Sequence, residues 1–306
     1  MAVTGGAGFI GSHTVEGLVA GGSRVLVIDD GSHTCGHALP GEVEFLEADA
    51  GSEAAARALE RFQPVAVLHL ATKGGVEKAR RDPAEHLRRS VASSVALFHA
   101  AVAAGARRIV TASSGGTIYG NPDSLPAGED LEPAPVSAYG AGKLAEEVYL
   151  GMLGRRHRLQ VLALRYGNVY GPRQDGTGEA GLVAITCTRL AAGREPTVHG
   201  DGLQTRDFVF VGDVTRANLA ALSSNCSGAV NIGTGRETSV REVVETLLRQ
   251  SGRDAEIAFG PARGSEVRRV CLDPGRADSW LHWSPATLVQ EGLRLTLSYF
   301  CKEGRN

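Results

Sequence analysis

The sequence predicts an α/β protein, a Rossmann-like doubly wound parallel sheet carrying a smaller mixed C-terminal substrate lobe. Three observations predict it: short β-branched runs alternate with helical stretches, a glycine-rich turn follows the first of them directly, and the rhythm changes near residue 172. Continuous apolar runs suit strands covered on both faces, and strict strand–helix alternation favours a parallel sheet.

Taken in order, Met1 to Thr4 form a very short first strand, and Gly5, Gly8 and Gly11 follow as GxxGxxG before a helical pattern. Gly5 suits the tight turn, Gly8 a close approach of backbone to a pyrophosphate, and Gly11 the packing of helix on strand. The N–H groups of that helix then face phosphate. "RVLVID" (24–29) is the second strand, and Asp29 at its end is placed to accept the ribose hydroxyls of an adenosine. A 2′-phosphate would be repelled by Asp29 and Asp30, so the expected dinucleotide is NAD and not NADP. "VEFLEAD" (43–49), "VAVLHLA" (65–71), "RRIVTAS" (107–113) and "QVLALRY" (160–166) supply further strands. His69 follows an apolar run, which favours packing over catalysis.

"SAYGAGKLAEE", Ser137 to Glu147, places Tyr139 four residues before Lys143 at the start of a helix. That interval puts both on one helical face, about 5–6 Å apart at Cβ, where an ammonium can act on a phenol. A phenol ionises near pH 10, so a neighbouring cation is what would make it a base at neutral pH. After residue 172 come a glycine-rich loop, short strands in "REPTVHGDGLQTRDFVFV", and a helix in "TSVREVVETLLRQSG" with a Thr/Ser start and a glycine stop. The expected division is a dinucleotide-binding domain over 1–171 and a substrate lobe over 172–306, with segments able to cross between them.

The 306 residues are 42% hydrophobic and 22% charged with a formal net charge of −2, an ordinary globular balance without the basic excess of a nucleic-acid binder. Five cysteines show neither metal-ligand spacing nor a disulfide framework, and free thiols fit a reducing cytoplasm. No apolar stretch is long enough to span a membrane, and the start lacks the build of a signal peptide. A soluble cytoplasmic protein is expected.

The ordered series "TGGAGFIG", "VLVIDD", "VLHLA", "SSGGTIYG", "AYGAGK", "LRYGNVYGPRQ", "GDGLQTRDFVFVGDV", "NIGTGRETSV" and "LHWSP…LVQEGLRLTLSYF" resembles the extended short-chain dehydrogenase/reductases that act on nucleotide sugars, the NAD-dependent epimerase/dehydratases. It matches the UDP-glucose 4-epimerase branch best, from residue 1 to about residue 300. The resemblance implies that Tyr139 is the catalytic base and Lys143 its partner. It implies cofactor contacts at Gly5, Gly8, Phe9, Ile10, Gly11, Asp29, Asp30, Asp49, Ala50, Leu70, Ala71, Ser90 and Tyr166, with Ser90 standing where an asparagine is common. It implies that Asn168, Leu182, Val183, Thr197, His199, Arg206, Arg263 and Glu266 hold the UDP-sugar, two guanidiniums suiting two phosphates.

Many relatives carry Ser or Thr four places before the tyrosine of "IYG"; here that place is Gly115, so Ser114 or Thr117 is expected to bind the sugar O4. Gly116 and Thr117 replace the acidic pair of a 4,6-dehydratase, and Thr117 the glutamate of a UDP-glucuronate decarboxylase, which argues against both reactions. The expected activity is NAD-dependent C4 epimerisation of a UDP-hexose. Val270, where some relatives place a bulky aromatic, leaves UDP-glucuronate or a UDP-N-acetylhexosamine as alternative substrates. A regulatory NAD-binding module is the non-enzyme alternative. Family analogy further implies a homodimer built by a four-helix bundle from segments near 90–104 and 140–154.

Overall fold

A computed structural model of the chain describes residues 1–177, 181–262 and 267–303. Six strands, β1 (Ala2–Thr4), β2 (Leu26–Asp29), β3 (Glu44–Glu47), β4 (Ala66–His69), β5 (Arg108–Ser114) and β6 (Gln160–Tyr166), join a seventh, Gly228–Ile232, in one sheet. Spatially the order runs Gly228–Ile232, β6, β5, β4, β1, β2, β3. Every pairing is parallel. The expected Rossmann-like fold is therefore present, and short mixed pairings in the later part of the chain complete it.

Alternation along each strand builds two cores on the two faces of this sheet. Val3, Val27, Leu68, Val110, Leu162 and Leu164 pack against α1 (Phe9–Ala20) and the Val211–Ser223 helix. Their neighbours Ala2, Leu26, Ile28, Val67, Ile109 and Val161 pack on the other face. There they meet α2 (Glu53–Phe62) and the Ala92–Ala103 and Ala138–His157 helices. A third cluster of Tyr170, Val183, Cys187, Leu190, Phe208, Val243, Leu247, Leu293 and Leu297 holds the C-terminal segments together. The helix foreseen in "TSVREVVETLLRQSG" spans Val240–Ser251, with Ser239 Oγ accepting from Glu242 N at 3.1 Å and Gly252 in the left-handed conformation at φ 65°.

β3 departs from the expectation of strands covered on both faces. It is the sheet edge, and Phe45 in it is half exposed. The acids of "VEFLEAD" reflect that: a charged edge strand resists pairing with other chains. Strand Gly228–Ile232 comes from after residue 172 and yet pairs with β6, so the chain returns to the first sheet before its last helices.

Candidate functional site

Between β1 and β4 the strand order reverses, since the chain first runs outward through β2 and β3 and then restarts at β4. Such a switch point opens a crevice beyond the carboxyl ends of the strands, where open α/β sheets bind ligands. Gly5 turns there at φ +69°, and a Cβ on it would lie 2.7 Å from the Ala71 nitrogen. The Gly5 turn and the Leu70–Ala71 segment thus face each other across the crevice. A Cβ on Gly11 would meet the Gly5 carbonyl oxygen at 2.0 Å, so α1 reaches the turn only because that position is bare. Gly8 begins α1 without a side-chain cap, and no acid occupies the first turn that carries Phe9 and Ile10. The N–H groups of that turn are therefore a site for an anion.

Asp29 is buried and accepts from Ala7 N and Gly31 N, each at 3.0 Å on a different oxygen. It fastens the glycine turn to the end of β2 and keeps a further acceptor site on each oxygen. Asp30 and Asp49 share one cation that the sequence did not single out: Lys73 Nζ touches Asp30 and lies 2.8 Å from Asp49 Oδ2. Burial would raise the Asp30 carboxyl, but Lys73 and Ser32 override it and hold it at about 2. Asp49 also accepts from Ser93 Oγ at 2.7 Å, and Ala50 after it is buried. A cleft of about 400 Å³ beside Asp49 and Lys73 is lined further by Gly51, Arg88 and Ser93.

Ser137 caps the Ala138–His157 helix, its Oγ accepting from Gly140 N at 3.1 Å, which fixes Tyr139 in the first turn. Lys143 Nζ stands 6.0 Å from the centroid of the Tyr139 ring. The ammonium is buried and bonds Glu146 Oε2 at 3.0 Å. Burial opposes its charge, yet Glu146 and Tyr139 hold it protonated above the ordinary lysine range. His86 packs on the same phenol, ring centroids 5.8 Å apart, and its Nδ1 lies 3.3 Å from Ser90 Oγ. Ser90 sits in a π-helical turn, Leu87–Val91, and also bonds the Lys73 backbone. Such turns recur at functional sites.

Packing accounts for the absence of a side chain at residue 115. A Cβ there would stand 2.5 Å from Leu272 Cδ1, so the isobutyl group of Leu272 occupies the space a serine or threonine would need. Gly116 opens the other way, its Cβ position 3.6 Å from Asn168 Oδ1, 3.9 Å from Ser114 Oγ and 3.9 Å from Val270 Cγ1. Ser114 thus shares one wall with Asn168, while Thr117 Oγ1 donates back to the Ser114 carbonyl at 3.4 Å. The Thr117 carbonyl in turn lies 2.6 Å from where a Cβ on Gly140 would be, so the 115–118 turn packs directly on the helix that carries Tyr139.

Ser114 pairs in register with Tyr166, at the same edge of the sheet. The Tyr166 phenol points away from that edge, donating to Asn218 Oδ1 at 2.6 Å within the core, and leaves only backbone to face the crevice. Val183 is likewise fully in the C-terminal core, so it and Leu182 can offer a ligand the uncapped start of their helix, Leu182–Ala191, and little side chain. His69 is locked inside by Thr4 Oγ1 at 2.6 Å and Ser94 Oγ at 2.8 Å, and burial lowers it to about 3. It ties β4 to β1 and to the Ala92–Ala103 helix, a packing role.

In the later segments Thr197 and His199 lie in a strand paired with Ala258–Gly260, and Arg206 in one paired with Thr238–Ser239. Asp207, next to Arg206, joins these to the sheet: its carbonyl accepts from Asn168 N at 2.6 Å, and its buried carboxylate from Thr234, Gly235 and Leu272. Arg263 and Glu266 lie outside the described residues. Glu146, Glu147, Lys73, His86 and Asp207 were not singled out from sequence. A signal existed for the first two, which sit three and four places after Lys143.

The model of the NAD dependent epimerase/dehydratase family matches residues 1–233. A UDP-glucose 4-epimerase of Mycolicibacterium smegmatis is 40% identical over 304 residues, covering 97% of each chain. The UDP-glucose 4-epimerase of Thermotoga maritima, solved with UDP-glucose, superposes with a TM-score of 0.94 at 39% identity over 99% of this chain and 98% of that one. That of Thermus thermophilus, solved with NAD, gives 0.93 at 39% identity over 98% of both chains. The fold agrees with these likenesses: the chain belongs to the NAD-dependent epimerase/dehydratase family.

Proposed function

We propose that the protein is an isomerase that inverts C4 of a UDP-hexose, interconverting UDP-glucose and UDP-galactose through a 4-keto sugar. The observation that carries this is the buried ammonium of Lys143 beside the Tyr139 phenol at the carboxyl edge of a nucleotide-binding sheet.

The residues fit NAD. The bare glycine turn and uncapped α1 suit its pyrophosphate, and the spare acceptor sites of Asp29 suit its ribose. Asp30, Asp49, Ala50, Leu70, Ala71 and Ser90 line the remaining walls. Held there, NAD would supply both the acceptor and the donor of the C4 hydride, with no net redox change. Everything else falls to side chains. Tyr139 takes the proton of the sugar 4-hydroxyl, made competent by the Lys143 charge, and returns it when the alcohol re-forms. Ser114 supplies the second hydrogen bond at O4; its place on the wall with Gly116 and Asn168 supports it over Thr117. Asn168, Arg206 and the start of the Leu182–Ala191 helix serve the diphosphate, with Thr197 and His199 toward the base. Because the keto sugar must present its opposite face before hydride returns, the diphosphate is the anchor about which it turns.

We assign the assembly to a homodimer in the cytoplasm. An apolar groove of Ala141, Leu144, Ala145, Val148, Tyr149 and Met152 supports it, since Val148 is 63% exposed on the outer face of the Ala138–His157 helix. The neighbouring Ala92–Ala103 helix would complete a four-helix bundle. No helix among the described residues is long and apolar enough to cross a membrane.

The test is turnover of several UDP-sugars by purified protein. UDP-glucose and UDP-galactose should interconvert; activity confined to UDP-glucuronate or a UDP-N-acetylhexosamine would reassign the sugar, and silence on all would remove the enzyme.

A further inference from the structure

Two acids follow Lys143 on its helix, Glu146 buried and Glu147 with its side chain 9% exposed, and they have different partners. Glu147 has both oxygens engaged: Oε1 accepts from Ser113 Oγ at 2.5 Å and from Arg165 Nε at 3.1 Å, Oε2 from Arg165 Nη2 at 2.7 Å. It clamps the helix to β5 and β6. Glu146 meets the catalytic ammonium at 3.0 Å, with side-chain exposures of 5% for Lys143 and 2% for Glu146. Withdrawing two charges from water can cost more than their attraction returns, so a stabilising contact is a weak account of this buried pair. The proton transfer assigned to Tyr139 and Lys143 does not itself need a carboxylate.

We propose that Glu146 is a positioning residue for the reaction, holding the proton of the catalytic pair on Lys143 so that Tyr139 is the partner that gives its proton up. This rests on the epimerase assignment above. The Tyr139 ring and the Lys143 nitrogen, 6.0 Å apart, act in the proposed chemistry as one pair. Once the pair has lost one proton it has two forms, phenoxide with ammonium or phenol with amine, and only the first contains the base. Glu146 bonds the nitrogen directly at 3.0 Å, so its charge favours the first form. The same charge makes the pair hold its first proton to higher pH. The other titratable groups facing it are Glu147 on the same helix, His86 from the Pro83–Val91 segment and His69 at the end of β4. Burial keeps His69 neutral and lowers His86, so neither supplies a compensating positive charge at neutral pH.

The two effects separate in a pH–rate profile. Glu146→Gln preserves shape and a hydrogen-bond acceptor while removing charge. Its acidic limb should move down by roughly one pH unit, and its plateau kcat should fall by roughly tenfold because fewer molecules hold phenoxide. Glu146→Asp keeps the charge but draws it back from the nitrogen, so its limb stays in place while its plateau falls. A substrate-free check is the ultraviolet phenolate titration of wild type minus Tyr139→Phe, repeated in the Gln background, where the midpoint should fall likewise. A Gln profile superposing on wild type, or an equal loss in both variants with unmoved limbs, overturns the proposal and leaves Glu146 as packing. If the Gln variant does not fold, the Asp variant decides: a lowered plateau with an unmoved limb supports, and an unchanged plateau or a moved limb overturns. Wild-type turnover of UDP-glucose is measured first, so failure of the epimerase assignment shows there and not in the variants.

Discussion

At the level of single residues, the chemistry narrows to a phenol, an ammonium and one hydroxyl. Tyr139→Phe removes the proposed base without changing the shape of its surroundings, and kcat should drop by about 10²–10⁴-fold while NAD and UDP-sugar binding persist, as isothermal titration would record. Ser114→Ala should cost more turnover than Thr117→Ala, because Ser114 shares a wall with Asn168 whereas Thr117 Oγ1 is turned back on its own backbone. Equal kcat losses would refute that choice. Tyr139 and Lys143 were legible in the sequence because helical spacing alone places them together. Lys73, His86 and Asp207 were not, since each gains its partner from a segment remote in sequence. Gly115 looked like a missing hydroxyl, but its bareness answers to Leu272, which lies 157 residues later and carries no local signal.

Elements carry the next set of consequences. α1 can sit on the glycine turn only if residue 11 has no side chain, because the clash would be with the Gly5 backbone and not with a flexible group. Gly11→Ala should therefore destabilise the fold by about 1–3 kcal/mol and strip the bound dinucleotide, both visible in thermal unfolding with and without NAD. His69 sets a pH dependence. Its folded value of about 3 lies below the 6.5 of an unfolded histidine, so the unfolded chain binds a proton between those values and the native one does not. Stability from this group is complete above pH 6.5 and is lost as pH falls toward 3, at about 1.4 kcal/mol per unit within the window. His69→Gln should flatten the slope of unfolding free energy between pH 5 and 6.5 in urea titrations; an unaltered slope would contradict it. Most strands were legible because apolar runs bounded by glycine and charge are covered by helices on both faces. β3 was misjudged as covered, since its edge position is decided by topology and not by its own residues.

For the whole molecule, the sheet gathers at one edge residues from the starts and ends of many elements, and Asp207 binds the later strands to that edge. The doubly wound class could be read from alternation alone. That strand Gly228–Ile232 would rejoin the first sheet could not, because pairing across such a separation leaves no periodic trace. Val148→Glu should convert the proposed dimer to monomer in light scattering with folding intact, as the substitution adds charge to an exposed apolar face. The central claim is that one bound dinucleotide takes up a hydride from the sugar and returns it under the control of a phenol and the buried ammonium beside it. Proton NMR of UDP-glucose incubated with protein as purified, with no NAD added, tests it most directly. The account predicts the UDP-galactose anomeric signal growing to a fixed ratio over many turnovers; a static spectrum from protein shown to contain NAD would contradict it.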